Sequence, residues 1–238
     1  MISVLTLTYQ RHKILEEAIQ SYLCQNFEGE SEMVIINDSP DVEYVYDHPN
    51  IRIINCKERF KSISEKLEFG YKQCKYNYIY RLDDDDLLTP FALSIVNKNI
   101  LEYPNYDIYR SENHYYMENN KFISIGGSIN NGNIYSKTYL DNIIFPKLSF
   151  KEDYVITYEN DAKIFVFNGD TMENTTMIYR WGIDTYHISD IAYDLPGRPT
   201  NLTNEERLIL TDGKIKEKEC GIINLIPSFK NDYYLQIF

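Results

Sequence analysis

From Met1 to about Pro104, apolar β-rich runs take turns with stripes of apolar residues at helical spacing. Ile2 to Thr8 reads as a strand, and Ile14, Leu15, Ala18, Ile19, Tyr22 and Leu23 as the buried face of a helix. Met33 to Ile36 and Ile51 to Ile54 are short continuous apolar runs, the mark of strands buried on both faces. Ile63, Leu67, Gly70, Tyr71 and Cys74 form a second helical stripe, and Tyr78 to Leu82 a fourth strand. Thr89 as N-cap and Pro90 at the first helical position predict a third helix carrying Phe91, Ile95, Val96 and Ile100. Such alternation predicts an α/β fold: a mainly parallel, doubly wound sheet with helices on both faces. The loops after strands one, two and four then share one rim, which gathers Thr8 to Arg11, Asn37 to Pro40 and Asp83 to Asp86 around one cleft.

The second half reads differently. Asp107 to Arg110, His114 to Met117 and Phe122 to Ile125 predict short strands, with Glu118 to Lys121 as a hairpin turn and Gly126-Gly127 as a flexible loop. Glu152 to Glu159 predicts a short helix and Ile164 to Phe167 a strand. The pattern weakens from Ser189 through a Pro- and Gly-containing loop, and Ile222 to Ile226 and Tyr233 to Phe238 read as strands.

Four consecutive carboxylates, Asp83-Asp84-Asp85-Asp86, close the fourth strand. A pair of like charges 4 Å apart costs roughly 1 kcal/mol in water and about 4 at an effective dielectric of 20. A strand end holds such a cluster only if something neutralises it. The simplest candidate is a divalent cation with oxygen ligands, shared with a phosphate-bearing substrate. The other reading is a solvated acidic turn; the position at a carboxyl end of the sheet, where ligands bind in open α/β folds, favours the cation.

Composition narrows the classes. At 238 residues, 43% hydrophobic and 25% charged, the chain suits one domain with or without an extension. A net charge of −12 argues against broad binding to nucleic acid or anionic membrane. The four cysteines are scattered without metal-ligand spacing; Cys24 and Cys74 fall on predicted helix faces as small core residues. No apolar run approaches the length of a spanning helix, and a cytoplasmic location is expected, with peripheral membrane association left open.

The ordered motifs carry a resemblance. They are Ser3 to Arg11, Ala18 to Gln25, Val34 to Ser39, Leu82 to Asp86 followed by Pro90, Lys151-Glu152-Asp153, and Tyr179-Arg180-Trp181. Together they resemble the family 2 glycosyltransferases of the GT-A fold, over roughly residues 1 to 190. Asn37 stands in place of the first member of that family's acidic pair, and Lys66 in place of its Arg. The implied organisation is a catalytic domain over 1–190, with a nucleotide-binding half (1–104) and an acceptor half (105–190). An extension over 191–238 packs on it.

The implied activity is inverting, metal-dependent transfer from a nucleotide diphosphate sugar, a UDP-sugar favoured. Asp85 is then the metal ligand, with Mn²⁺ or Mg²⁺, and His187 a further candidate. Asp83, Asp84, Thr8, Tyr9, Arg11 and Asp38 face the donor, and Lys66 its phosphates. Asp153 is the base that takes the acceptor hydroxyl's proton; Glu152 and Trp181 contact acceptor. Plainer readings stay open for several: a surface charge for Arg11, a solvated helix lysine for Lys66, a core ring for Trp181, a structural His187. The expected acceptor is a saccharide or lipid-linked glycan, the alternative a hydroxymethylated DNA base modified by a phage enzyme. A non-catalytic nucleotide-sugar-binding module is the rival of another class. A nucleotidyltransferase would need a Gly- and Lys-rich loop that Thr8-Tyr9-Gln10-Arg11 is not.

Overall fold

In the computed structural model, which describes residues 1–169, 174–182 and 201–237, the alternating pattern builds a seven-stranded mixed sheet. Its parallel half pairs β5 (Tyr78–Arg81), β1 (Ile2–Thr8), β2 (Ser31–Asn37) and β4 (Ile51–Asn55) in that order. Beyond β5 lie β10 (Ile134–Ser136), antiparallel to both neighbours, then β7 (Ile108–Ser111) and β11 (Ile164–Phe167), which pair in parallel.

Successive strand residues point to opposite faces, and β1 feeds both. Val4 joins one apolar cluster with Leu15 and Ile19 of α1 (His12–Leu23) and Val96 of α3 (Ala92–Glu102). Leu5 joins another with Leu67 and Tyr71 of α2 (Ile63–Gln73). Helix α2 rides close on the sheet at Gly70, where an added Cβ would lie 2.8 Å from a Leu5 methyl and 3.0 Å from Ile36 Cγ1. Gly70→Ala is therefore expected to lower stability by about 1–3 kcal/mol through overpacking, read as a lower urea midpoint. An unchanged midpoint would contradict this close approach.

The chain lays down β1, β2 and β4 in one direction, then returns to place β5 on the far side of β1. The loops leaving the carboxyl ends of β1 and β5 diverge there, and an open α/β sheet has its ligand crevice at such a switch point.

A second sheet orders β6 (Leu87–Leu88), β12 (Met177–Trp181), β8 (Asn113–Glu118) and β9 (Lys121–Gly127). The β8–β9 turn has Asn119 and Asn120 both at positive φ (49° and 63°), as a two-residue primed turn requires. The C-terminal segment folds back over the domain. Helix α6 (Asn204–Lys214) reaches the switch point through Leu208 and Asp212, and β13 (Gly221–Asn224) pairs in parallel with β3 (Val42–Val45). No described helix is long and apolar enough to cross a membrane.

Several expectations are corrected. Tyr233–Ile237 is a helix, α7, not a strand; Tyr233 turns inward to Glu17 and Arg180, contacts that strand-like composition does not reveal. Gly126 and Gly127 belong to β9 rather than to a loop, paired across from His114 and Asn113. Thr89 does not cap α3: its hydroxyl donates to the Thr175 carbonyl at 2.6 Å, and the helix begins at Ala92. Cys24 is exposed just past the end of α1, while Cys74 is buried as expected. Helices α4 (Lys137–Leu140) and α6 and strands β3, β6, β10 and β12 have no counterpart among the predicted elements, although Thr203 and Glu206 form a capping box at the start of α6.

Candidate active site

A cleft opens at the switch point. The loop after β1 lines it with Thr8, Tyr9 and Arg11, the loop after β2 with Asp38, and the loop after β5 with Asp83, Asp84 and Asp85. Lys66 of α2, Arg81 of β5 and Glu152 of α5 (Glu152–Tyr158) complete the polar wall, with Arg59 and Leu208 on the far side.

The acid loop is held by a web of donors. The Arg11 guanidinium forks onto Asp84, with Nε 3.0 Å from Oδ2, and reaches Asp85 Oδ2 at 3.1 Å. Asp86 accepts the backbone N–H of Arg180 at 2.9 Å and the Asn131 side-chain amide at 2.8 Å. Arg81 Nε lies 3.4 Å from Asp83 Oδ1. Arg180 is wholly buried, and its guanidinium also ties the Asp85 carbonyl to Glu17 of α1.

These donors leave the cluster short of positive charge. Burial pushes the Asp84 carboxyl up to about 6, against the pull of Arg11. Burial holds Asp86 well above the usual carboxylate range, with Asp85 and Asp83 pushing the same way. One oxygen each from Asp83, Asp85 and Asp86 lie within 4.8 Å of one another, a hard donor set that fits Mg²⁺ or Mn²⁺.

On the opposite wall Lys66 is buried, not solvated. Its ammonium donates to Asp38 Oδ1 at 2.5 Å and to the Thr8 carbonyl at 2.6 Å, and so locks the loops after β1 and β2 together. The second oxygen of Asp38 accepts the Phe60 N–H at 3.1 Å. Asn37 supports the same turn: it accepts the Ser39 N–H and donates to the Val42 carbonyl. The Arg59 guanidinium lies 3.8 Å from the centre of the Tyr9 ring and pairs with Asp212 of α6 at 2.5 Å, which brings the C-terminal segment onto the cleft.

The Glu-Asp pair opens α5. Lys151 ahead of it adopts φ 60°, a left-handed conformation that costs about 1–3 kcal/mol in a non-glycine residue and is typical of functional sites. Glu152 turns into the cleft and accepts Arg81 NH2 at 2.9 Å; burial raises its carboxyl, and Arg81 opposes the rise. Asp153 is half-buried beside it and accepts the Tyr154 N–H at 2.8 Å.

The structure thus brings Thr8, Tyr9, Arg11, Asp38, Lys66, Asp83, Asp84, Asp85 and Glu152 to one cleft. Asp153 stands one residue outside its lining. Trp181 is partly buried at the end of β12 and does not line the cleft. His187 lies outside the described residues. Sequence reasoning missed Arg81 and Arg59. For Arg81 a signal existed: an arginine inside an otherwise apolar strand must find buried partners.

The glycosyl transferase family 2 model matches residues 3–165. A comparison with curated proteins finds no match. Among solved structures, residues 1–349 of S. aureus TarS in complex with UDP-GlcNAc align at a TM-score of 0.63 and 17% identity, covering 92% of this chain and 68% of that one. A longer TarS structure aligns at 0.58 and 20% identity over 76% of this chain, which spans only 36% of that chain. A mannosyltransferase from Pyrobaculum calidifontis, PcManGT in complex with GDP-Man and Mn²⁺, aligns at 0.52 and 12% identity, covering 75% of this chain and 56% of that one. At such identities the likeness establishes a shared fold, and the family match, across more than half of the sequence, establishes descent. The chain belongs to glycosyl transferase family 2 and has the GT-A fold.

Proposed function

We propose that this protein transfers a sugar from a nucleotide diphosphate sugar, a UDP-sugar, to an acceptor hydroxyl with inversion at the anomeric carbon. The observation behind this reading is the placing of an acid cluster and a Glu-Asp pair on one cleft at the switch point of the sheet. The acid loop would take the diphosphate end of the donor, and the Glu-Asp pair the acceptor end.

Asp38 and Tyr9 would face the nucleoside, and Arg11 and Lys66, each held on a carboxylate, line the same cleft. Asp153 takes the acceptor proton as the acceptor oxygen bonds to the anomeric carbon. The carbon–oxygen bond to the diphosphate breaks on the opposite face, and its electron pair leaves with the nucleoside diphosphate. Asp83, Asp85 and Asp86 would hold Mn²⁺ or Mg²⁺, which when bound supplies charge stabilisation for the leaving diphosphate. The GDP-Man and Mn²⁺ in PcManGT and the UDP-GlcNAc in TarS support this donor class. A glycan hydroxyl is the proposed acceptor.

Calorimetric titration with UDP, UDP-GlcNAc, UDP-glucose and UDP-galactose, each with and without Mn²⁺, tests the reading. Binding of UDP and at least one of these sugars, strengthened by Mn²⁺, is the expected result. Binding of none of them under either condition would end it.

A further inference from the structure

We infer that Arg81 reads a hydroxyl of the transferred sugar and is a specificity-determining residue of this site. The inference deepens the donor reading above and rests on it.

Arg81 is the last residue of β5 and only 5% exposed, yet it lines the cleft. A guanidinium carries five N–H donors in a fixed fork. Here NH2 is spent on Glu152 Oε1 at 2.9 Å, and Nε faces Asp83 Oδ1 at 3.4 Å. NH1 is buried and has no hydrogen-bond partner among the described residues. Native proteins rarely leave such a donor unmade, so an unpaired one on a buried side chain that lines a cleft marks a place where a ligand atom belongs.

The surroundings say which kind of atom. Arg81 lies between two carboxylates, Asp83 and Glu152, so its positive charge is already matched. A phosphate oxygen brought to NH1 would meet both acids, whereas a neutral hydroxyl would not be repelled. Glu152 adds the complementary half. A carboxylate has about four acceptor positions, and Arg81 occupies one of them. An N–H donor and a carboxylate acceptor side by side match a hydroxyl group, which accepts from one and donates to the other. Position agrees: Arg81 joins the acid loop to the Glu-Asp pair, and the group in transit must lie between the two.

The test compares nucleotide with nucleotide sugar in two variants. Arg81→Lys keeps the charge and loses the fork. The double variant Arg81→Met with Glu152→Gln removes both members of the buried pair, so that Glu152 is not left charged and unpaired in the interior, while the part-exposed Asp83 keeps the Asn131 amide. Calorimetry in Mn²⁺ measures affinity for UDP and for whichever of UDP-GlcNAc, UDP-glucose and UDP-galactose wild-type protein binds best. In both variants UDP affinity should stay within about twofold of wild type, while UDP-sugar affinity falls roughly ten- to a hundredfold, the loss of a hydrogen bond to a charged group. Equal losses for UDP and UDP-sugar, or no loss for either, would overturn the role of Arg81 while leaving the donor reading in place. Wild-type protein that binds neither ligand would overturn the donor reading and the inference with it.

Discussion

Asp153→Asn is expected to lower kcat by about 10²–10⁴-fold, the range for a positioned acid or base, while affinity for UDP stays near wild type. The substitution keeps the size and the hydrogen bond to the Tyr154 N–H but removes the ability to take a proton. The local geometry explains why Asp153 rather than its neighbour is assigned this step. Glu152 is pinned to Arg81 inside the cleft, and consecutive residues on a helix point in different directions. Asp153 therefore points differently from Glu152, and its partial exposure leaves its carboxylate open to an acceptor hydroxyl. A variant with near-wild-type kcat would refute the role.

Asp85→Ala is expected to lower Mn²⁺-dependent turnover by roughly 10²–10³-fold, comparable with loss of one electrostatic stabiliser of a developing charge. Binding gives a second readout that needs no acceptor. A ligand at a hundred times its Kd stabilises the native state by about 2.7 kcal/mol. For a domain of this size that is a rise in Tm of roughly 5–10 °C. Wild-type protein should show the rise with Mn²⁺ and UDP together, and Asp85→Ala should lose most of it. Asp85 also accepts from Arg11, so Asp85→Asn serves as the partner variant that keeps shape and removes charge. Undiminished turnover in EDTA, or equal Mn²⁺ shifts in wild type and both variants, would remove the acid cluster from the mechanism.

The sheet and the cleft were legible for a local reason. Apolar runs such as Met33 to Ile36 and the α1 stripe from Ile14 to Leu23 record which faces are buried, and parallel winding then places the loops after β1, β2 and β5 on one rim. Lys66 was legible as a site residue but not in its role. That its ammonium is buried between Asp38 and Thr8 follows from how closely α2 packs on the sheet. The C-terminal segment was misread at Tyr233–Ile237, because its helix depends on Tyr233 reaching Glu17, more than two hundred residues away in sequence.

By itself the sequence determined the α/β order of the first hundred or so residues, the position of the acid run at a strand end, and the family resemblance, because periodicity and adjacent residue types act over a few positions. Only the tertiary structure decided which cation serves which carboxylate: Arg11 for Asp84, Arg81 for Glu152 and Arg180 for Glu17. It alone brought Leu208 onto the cleft and Asp212 onto Arg59 of its lining. Such pairings join residues far apart along the chain, and a contact of that kind leaves no periodic trace in either partner's neighbours.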